Sequence, residues 1–306
     1  MMALTTSTFW NVLSLSQNAI NAKVKELAFY ESKGDVFRKK LDFERQKQEV
    51  LKYAHQWDYG KGDPSLKRLK IELKNIRRDY KKGKISQEEL LRGERFIVMN
   101  LAADVSSHFP YKKSNFSLVD IMKDKKANCV GYVQLYSILG ENIGFDVIGV
   151  DILEDNNAKV FTMNERHVIC LFSLSCDHKM IVDGNMISFP FILDNNYKKL
   201  GDYWEEIKEN KASSYRRFRL LENGIVPLVY RCLAVEYSQK NQLVEAIALF
   251  YKTLELDPKD ARSYEGLGYV YIKQEKYDEA IYCFEKSLIL DNKDIMAWHC
   301  LAGLYD

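Results

Sequence analysis

The sequence predicts an α+β protein. A helical N-terminal region leads into a core with an antiparallel sheet, and an all-α repeat array follows. Three observations carry this. Apolar residues recur at helical spacing over 66–80 and 90–105. Three β-branched stretches, 145–152, 166–174 and 178–183, read as strands, the last two joined by a short turn. From Pro227 onward the chain repeats with a period of 34 residues.

At 306 residues the chain is long for one domain and comfortable for two. An apolar fraction of 46% is enough for a sizeable core. The net charge of +2 hides a split: residues 1–126 carry 26 Lys/Arg against 16 Asp/Glu, and residues 127–306 carry 19 against 27. A basic front and an acidic back imply separate units. The first ten residues lack the charged start and apolar run of a secretory signal. No stretch approaches the ~20 apolar residues that span a bilayer. The six cysteines (129, 170, 176, 232, 283 and 300) form no Cys-x-x-Cys pair and have no His/Cys ligand spacing. Free thiols in a reducing, cytoplasmic setting are expected, with no metal and no cofactor.

Residues 1–84 read as the helical N-terminal region, with helices over 12–30 and 35–57. Asp63-Pro64 marks the next helix start. Leu66, Leu69, Leu73, Ile76 and Tyr80 share one face of that helix. Its other faces carry Lys67, Arg68, Lys70, Lys74, Arg77, Arg78, Lys81 and Lys82, the pattern of a solvated basic face. The interrupting Glu72 and Asp79, and the absence of a groove-reading motif, weigh against nucleic acid as a partner.

The core is expected over residues 85–190. Ser86 and Glu89 form a capping-box start for a helix running toward Pro110, and 110–127 reads as loop. A helix over 129–139 follows, with Gly140 as its stop signal. Next come the strands Phe145–Ile152, Arg166–Leu174 and His178–Asp183, the last two joined by a turn at Ser175–Asp177. Residues 191–226 read as a linker with an aromatic patch and the basic cluster Arg216-Arg217-Phe218-Arg219.

In the back region, Tyr230, Leu233, Ala234, Tyr237, Ala246, Phe250 and Pro258 recur as Tyr264, Leu267, Gly268, Tyr271, Ala280, Phe284 and Asn292. A third copy opens with Trp298, Leu301, Ala302 and Tyr305. This pattern resembles the tetratricopeptide repeat, with copies at 227–260 and 261–294 and a partial one at 295–306. Small residues let paired helices approach, and Phe250 and Phe284 fill the space between pairs. So short an array is expected to lean on the preceding domain or to continue in a longer parent protein. The resemblance implies a peptide partner in a groove lined by Arg231, Val235, Arg262, Glu265, Tyr269 and Lys273.

The candidate chemistry is at Asn128–Leu139. Asn128 is a good N-cap, so Cys129 falls in the first helical turn, where the helix dipole favours a thiolate. His167 opens one strand and Asp183 closes the next. A hairpin centred near 175.5 puts Asp183 within one position of the residue opposite His167. Cys129 would be the nucleophile, His167 its base, and Asp183 the carboxylate that orients the imidazole.

Asn128-Cys129-Val-Gly-Tyr-Val-Gln-Leu-Tyr, Ile143-Gly-Phe-Asp-Val-Ile-Gly149, Arg166-His167-Val168 and Ile181-Val182-Asp183-Gly184 together resemble the transglutaminase-like superfamily of papain-like cysteine enzymes. The resemblance covers roughly 85–190 and implies a papain-like core with Cys129, His167 and Asp183 as catalytic residues. It implies acyl transfer through a thioester on a protein or peptide substrate, as a protease, deamidase or transamidase. The oxyanion-hole side chain is unassigned, since neither Gln134 nor Tyr132 is well placed. The alternative is a catalytically idle adaptor of the same fold that works through protein–protein interaction.

Overall fold

The first helices form where side-chain caps meet apolar stripes. The computed structural model describes residues 42–57, 65–113, 116–155, 167–184, 197–206 and 215–305. The helix expected over 12–30 and the Asp63-Pro64 start fall outside them. Helix α1 (Phe43–Ala54) is capped by the Asp42 carboxylate, which accepts from the Arg45 N–H at 3.1 Å. In α2 (Ser65–Lys81) the stripe buries Leu66, Leu69 and Leu73. Helix α3 (Gln87–His108) starts on the expected capping box, with Ser86 and Glu89 bonded in both directions.

Residues 110–127, expected as loop, contain a short helix, α4 (Leu118–Asp124). The Ser117 hydroxyl caps it, and Leu118 and Ile121 anchor it in the core. Seven residues are too few to show a helical period in sequence. Helix α5 (Cys129–Ile143) does not stop at Gly140, as expected, but one turn later at Gly144, whose φ is +118°. Gly140 serves packing instead. A Cβ there would lie 2.6 Å from Val147 Cγ2 and 2.8 Å from the Phe172 ring, so only glycine lets the helix sit this close to the sheet.

The sheet has six strands: β1 (Asp146–Asp155), β2 (His167–Ser173), β3 (Lys179–Val182), β4 (Tyr197–Leu200), β5 (Tyr203–Glu206) and β6 (Tyr215–Leu220). Their order is β3-β2-β1-β6-β5-β4, and every neighbouring pair is antiparallel. Helix α5 covers one face, with the Cys170 thiol donating to the Val133 carbonyl at 3.9 Å. On the other face Val150, Ile152, Ile169, Leu171 and Ile181 form a core cluster with Tyr197 and Phe218.

Strands β4, β5 and β6 lie in the segment expected to be a linker. Their alternation explains the difference. In Arg217-Phe218-Arg219, Phe218 enters the core cluster and stacks parallel to Trp204 at 6.3 Å. Arg217 points to the other face, pairs with Glu205 at 3.4 Å and lies over the Tyr203 ring. The cluster that looks like a linker charge run is therefore a two-faced strand.

The chain divides into two compact units. Lys40–Ile225 forms one, and Val226–Asp306 belongs to the other. In the second, α6 (Val226–Gln239), α7 (Leu243–Leu256), α8 (Ala261–Lys273), α9 (Tyr277–Leu290) and α10 (Ile295–Tyr305) stack in sequence order. Ala246, Phe250, Ala280 and Phe284 are fully buried at the positions that the 34-residue pattern selects.

Candidate active site

Asn128 is the N-cap of α5. Its side-chain carbonyl accepts from the Gly131 N–H at 3.0 Å, and its amide donates to the Lys113 carbonyl at 3.0 Å. Cys129 is therefore the first residue of the helix, and it is half-buried. The rest of the helix is fixed by hydroxyls: Tyr132 donates to the Phe109 carbonyl and Tyr136 to the Gly184 carbonyl, each at 2.7 Å.

His167 opens β2, and Asp183 follows β3. His167 Nε2 and Asp183 Oδ2 are 3.0 Å apart. The hairpin register decides this contact. Leu174 donates to the His178 carbonyl at 2.7 Å, so Ser175–Asp177 form a three-residue loop with Cys176 and Asp177 in the left-handed region. The hairpin centre lies half a residue later than the sequence reading placed it, and Cys170 pairs with Val182. Continued along the strands, this puts Asp183 beside Ile169, diagonal to His167 and on the same face. Because side chains alternate with a period of two, a shift of one position would have separated the pair across the sheet.

The three residues share one end of the unit. Along α5, Val133 sits against Cys170 and Gly140 against Phe172, so the helix N-terminus points to the end where β2 begins. The Tyr132 ring lies beside Gly184 and Tyr136 bonds to it, which brings the same helix end to the residue after Asp183. Alternation assigns His167 and Asp183 to the face of Ile169 and Ile181, whereas α5 covers the face of Cys170 and Phe172. An approach of the pair to Cys129 therefore runs round the end of the sheet. The field of Asp183 does reach the helix side: after burial, it is the next cause holding the Cys170 thiol well above its ordinary range.

Burial also pushes up the Cys283 and Cys300 thiols, so these compete poorly as nucleophiles. The two candidate oxyanion donors are committed elsewhere. Gln134 Nε2 donates to the Phe116 and Val130 carbonyls, and the Tyr132 hydroxyl to Phe109. A tyrosine with no signal in the sequence borders the start of α5. Tyr111 bridges to Ala127, two residues before Cys129; it is 54% exposed, and its hydroxyl pKa is raised by the partial burial that remains and then by the neighbouring Cys129 side chain. A single bridge leaves no periodicity.

A second residue with structural authority over the site is Glu94, 0% exposed. Its carboxylate accepts from Arg77 Nε, the Ser175 N–H and the Ser175 hydroxyl, each at 2.7 Å. It ties α2 and α3 to the loop that sets the His167–Asp183 register. The sequence signal for it was a lone acid within the stripe Leu90, Leu91, Ile97 and Val98. Among the described residues no group of three His, Cys, Asp or Glu could hold a metal ion.

In the repeat unit, most of the expected groove is closed. Arg231, Val235, Arg262 and Glu265 are buried, Tyr269 is half-buried, and Lys273 is exposed. The polar members are engaged between helices: Arg231 of α6 pairs at 2.5 Å with Asp260, the residue that precedes α8, and Lys273 of α8 donates to the Ser238 carbonyl of α6 at 2.9 Å. No helix among the described residues is long and apolar enough to cross a membrane.

Comparison with known proteins matches residues 261–294 to the tetratricopeptide repeat. This is the second of the two full copies, the pair α8 and α9. No curated protein matches the chain. The repeat points to protein partners.

Proposed function

We propose that the chain is a cysteine-dependent acyl-transfer enzyme with a papain-like core, its repeats serving partner or substrate binding. The observation that carries the reading is the 3.0 Å His167–Asp183 hydrogen bond at the end of the sheet where α5 presents Cys129. In this mechanism Asp183 fixes the tautomer and orientation of His167. His167 takes the Cys129 proton, and the thiolate attacks a carboxamide or peptide carbonyl. The Cys129 N–H is one donor to the oxyanion. The amine leaves with the proton from His167, and water or a second amine resolves the thioester. A reducing cytoplasmic setting suits a working thiolate.

Incubation with 4-nitrophenyl acetate tests this. The expected result is a burst of nitrophenolate, with one acetyl group on Cys129 by peptide mapping, abolished by Cys129→Ala and by His167→Ala. Acetylation spread over several cysteines, or unchanged in His167→Ala, would overturn it.

A second reading has its own support. The repeat match suggests interaction, and the pleat sets His167 and Asp183 on the face away from α5. In that reading the chain is an adaptor, and the His167–Asp183 bond only closes the hairpin. No burst would then be seen in the wild type.

A further inference from the structure

The basic face of α2 borders a groove with no assigned role. Its cavity, about 640 Å³, runs between α2 and the C-terminal end of α5 and is lined by Lys70, Lys74, Arg77, Arg78, Lys81 and Lys82 over Leu73 and Ile143. No acidic residue lines it. Arg77 is turned inward: it bonds Glu94 and donates to the Gly144 carbonyl at 2.8 Å, which offsets the negative end of α5. Lys70, Lys74, Lys81 and Lys82 are exposed, and among the described residues no carboxylate pairs with them.

Spacing and floor define the ligand. The cations recur once per turn, about 5–6 Å apart, over roughly 18 Å of helix. That is a track for an extended chain, not a socket for a compact anion. The accessible floor is apolar, made chiefly of the methylene stems of the lysines, with Leu73 and Ile143 closed beneath them. No aromatic side chain lines the groove, so nucleic-acid bases would find nothing to stack on. A bare phosphate chain would leave the floor uncovered. In an extended peptide, alternate side chains fall about 6–7 Å apart on one face, which matches the lysine spacing. Roughly five or six residues would fill the track.

We propose that this groove docks an extended acidic segment of a partner protein, with carboxylates on the lysine rim and aliphatic side chains on the floor. The groove is about 21 Å from Cys129, the length of α5, so the proposal stands whether or not Cys129 reacts.

The test is fluorescence anisotropy of the full chain with a labelled Glu-Leu-Glu-Leu-Glu-Leu peptide. Saturable binding is expected at low salt and weaker binding at high salt. Lys74→Glu with Lys81→Glu should weaken it about tenfold, from the loss of two ion pairs and the gain of two repulsions. Both lysines are exposed, so these changes leave the fold intact. Lys123→Glu with Lys276→Glu alters net charge equally and should have little effect. Replacing the leucines of the peptide with serine should also weaken binding. Equal weakening by the control pair, indifference to the leucines, no binding, or tighter binding of a hexathymidylate would each overturn the proposal.

Discussion

Glu94→Ala should loosen the hairpin that carries His167 and Asp183. In the wild type the fully buried Glu94 carboxylate accepts three short bonds, one from Arg77 and two from Ser175. Removing it orphans the part-buried Ser175 N–H, at a cost of about 1–3 kcal/mol. The Arg77 side chain is 32% exposed and keeps its bond to Gly144, so water recovers much of its loss and it adds only about 1 kcal/mol. The expected destabilisation is therefore about 3 kcal/mol, at the low end for breaking a buried ion pair. Glu94→Gln, which keeps one acceptor and the side-chain volume, should cost about half as much. Denaturant unfolding gives the totals, and hydrogen exchange at Ser175–Asp177 locates them. A change below about 1 kcal/mol in Glu94→Ala, or an unaltered Ser175–Asp177 exchange rate, would refute the reasoning.

Two further outcomes concern the repeat unit. In Gly268→Ala the new Cβ would sit 2.7–2.9 Å from three Phe284 ring atoms. Overpacking of about 1–3 kcal/mol then outweighs the ~1 kcal/mol gain in helix propensity, so thermal unfolding should show a net loss, relieved when Phe284→Leu is added. Glu265 titrates at about 8 against an ordinary 4.5, raised by burial first and Asp294 second, and opposed by Arg262 and Arg231. The folded state thus holds a proton that the unfolded state lacks. Stability contributed by this group is complete below about pH 4.5 and declines as pH rises toward 8. Glu265→Gln should flatten that slope in melting curves taken across the window.

Helix caps and apolar stripes were legible in the sequence because they are local. Ser86, Glu89 and Asn128 do in the structure what their spacing implies. Strand β2, which His167 opens, and strand β3, which Asp183 follows, were legible from β-branching. Their register was not, because it depends on Cys176 and Asp177 adopting left-handed conformations, which ordinary side chains seldom do. Strands β4, β5 and β6 hid because each is short and alternates aromatic with charged residues, which mimics a polar linker. The groove positions Arg231 and Glu265 were correctly placed on first helices of the repeats. Their burial follows from contacts between repeats, beyond the reach of a single-repeat pattern. Glu94 could be noticed as an acid in an apolar stripe, but its partners lie 17 and 81 positions away.

The most direct test of the central claim compares alkylation rates of Cys129 and Cys176 by iodoacetamide at neutral pH. Cys176 is exposed and Cys129 half-buried, so access alone favours Cys176. An activated nucleophile reverses the order: Cys129 should react faster, and His167→Ala should restore the order set by exposure. Faster reaction at Cys176 in the wild type, or a Cys129 rate untouched by His167→Ala, would contradict a Cys129–His167–Asp183 catalytic site.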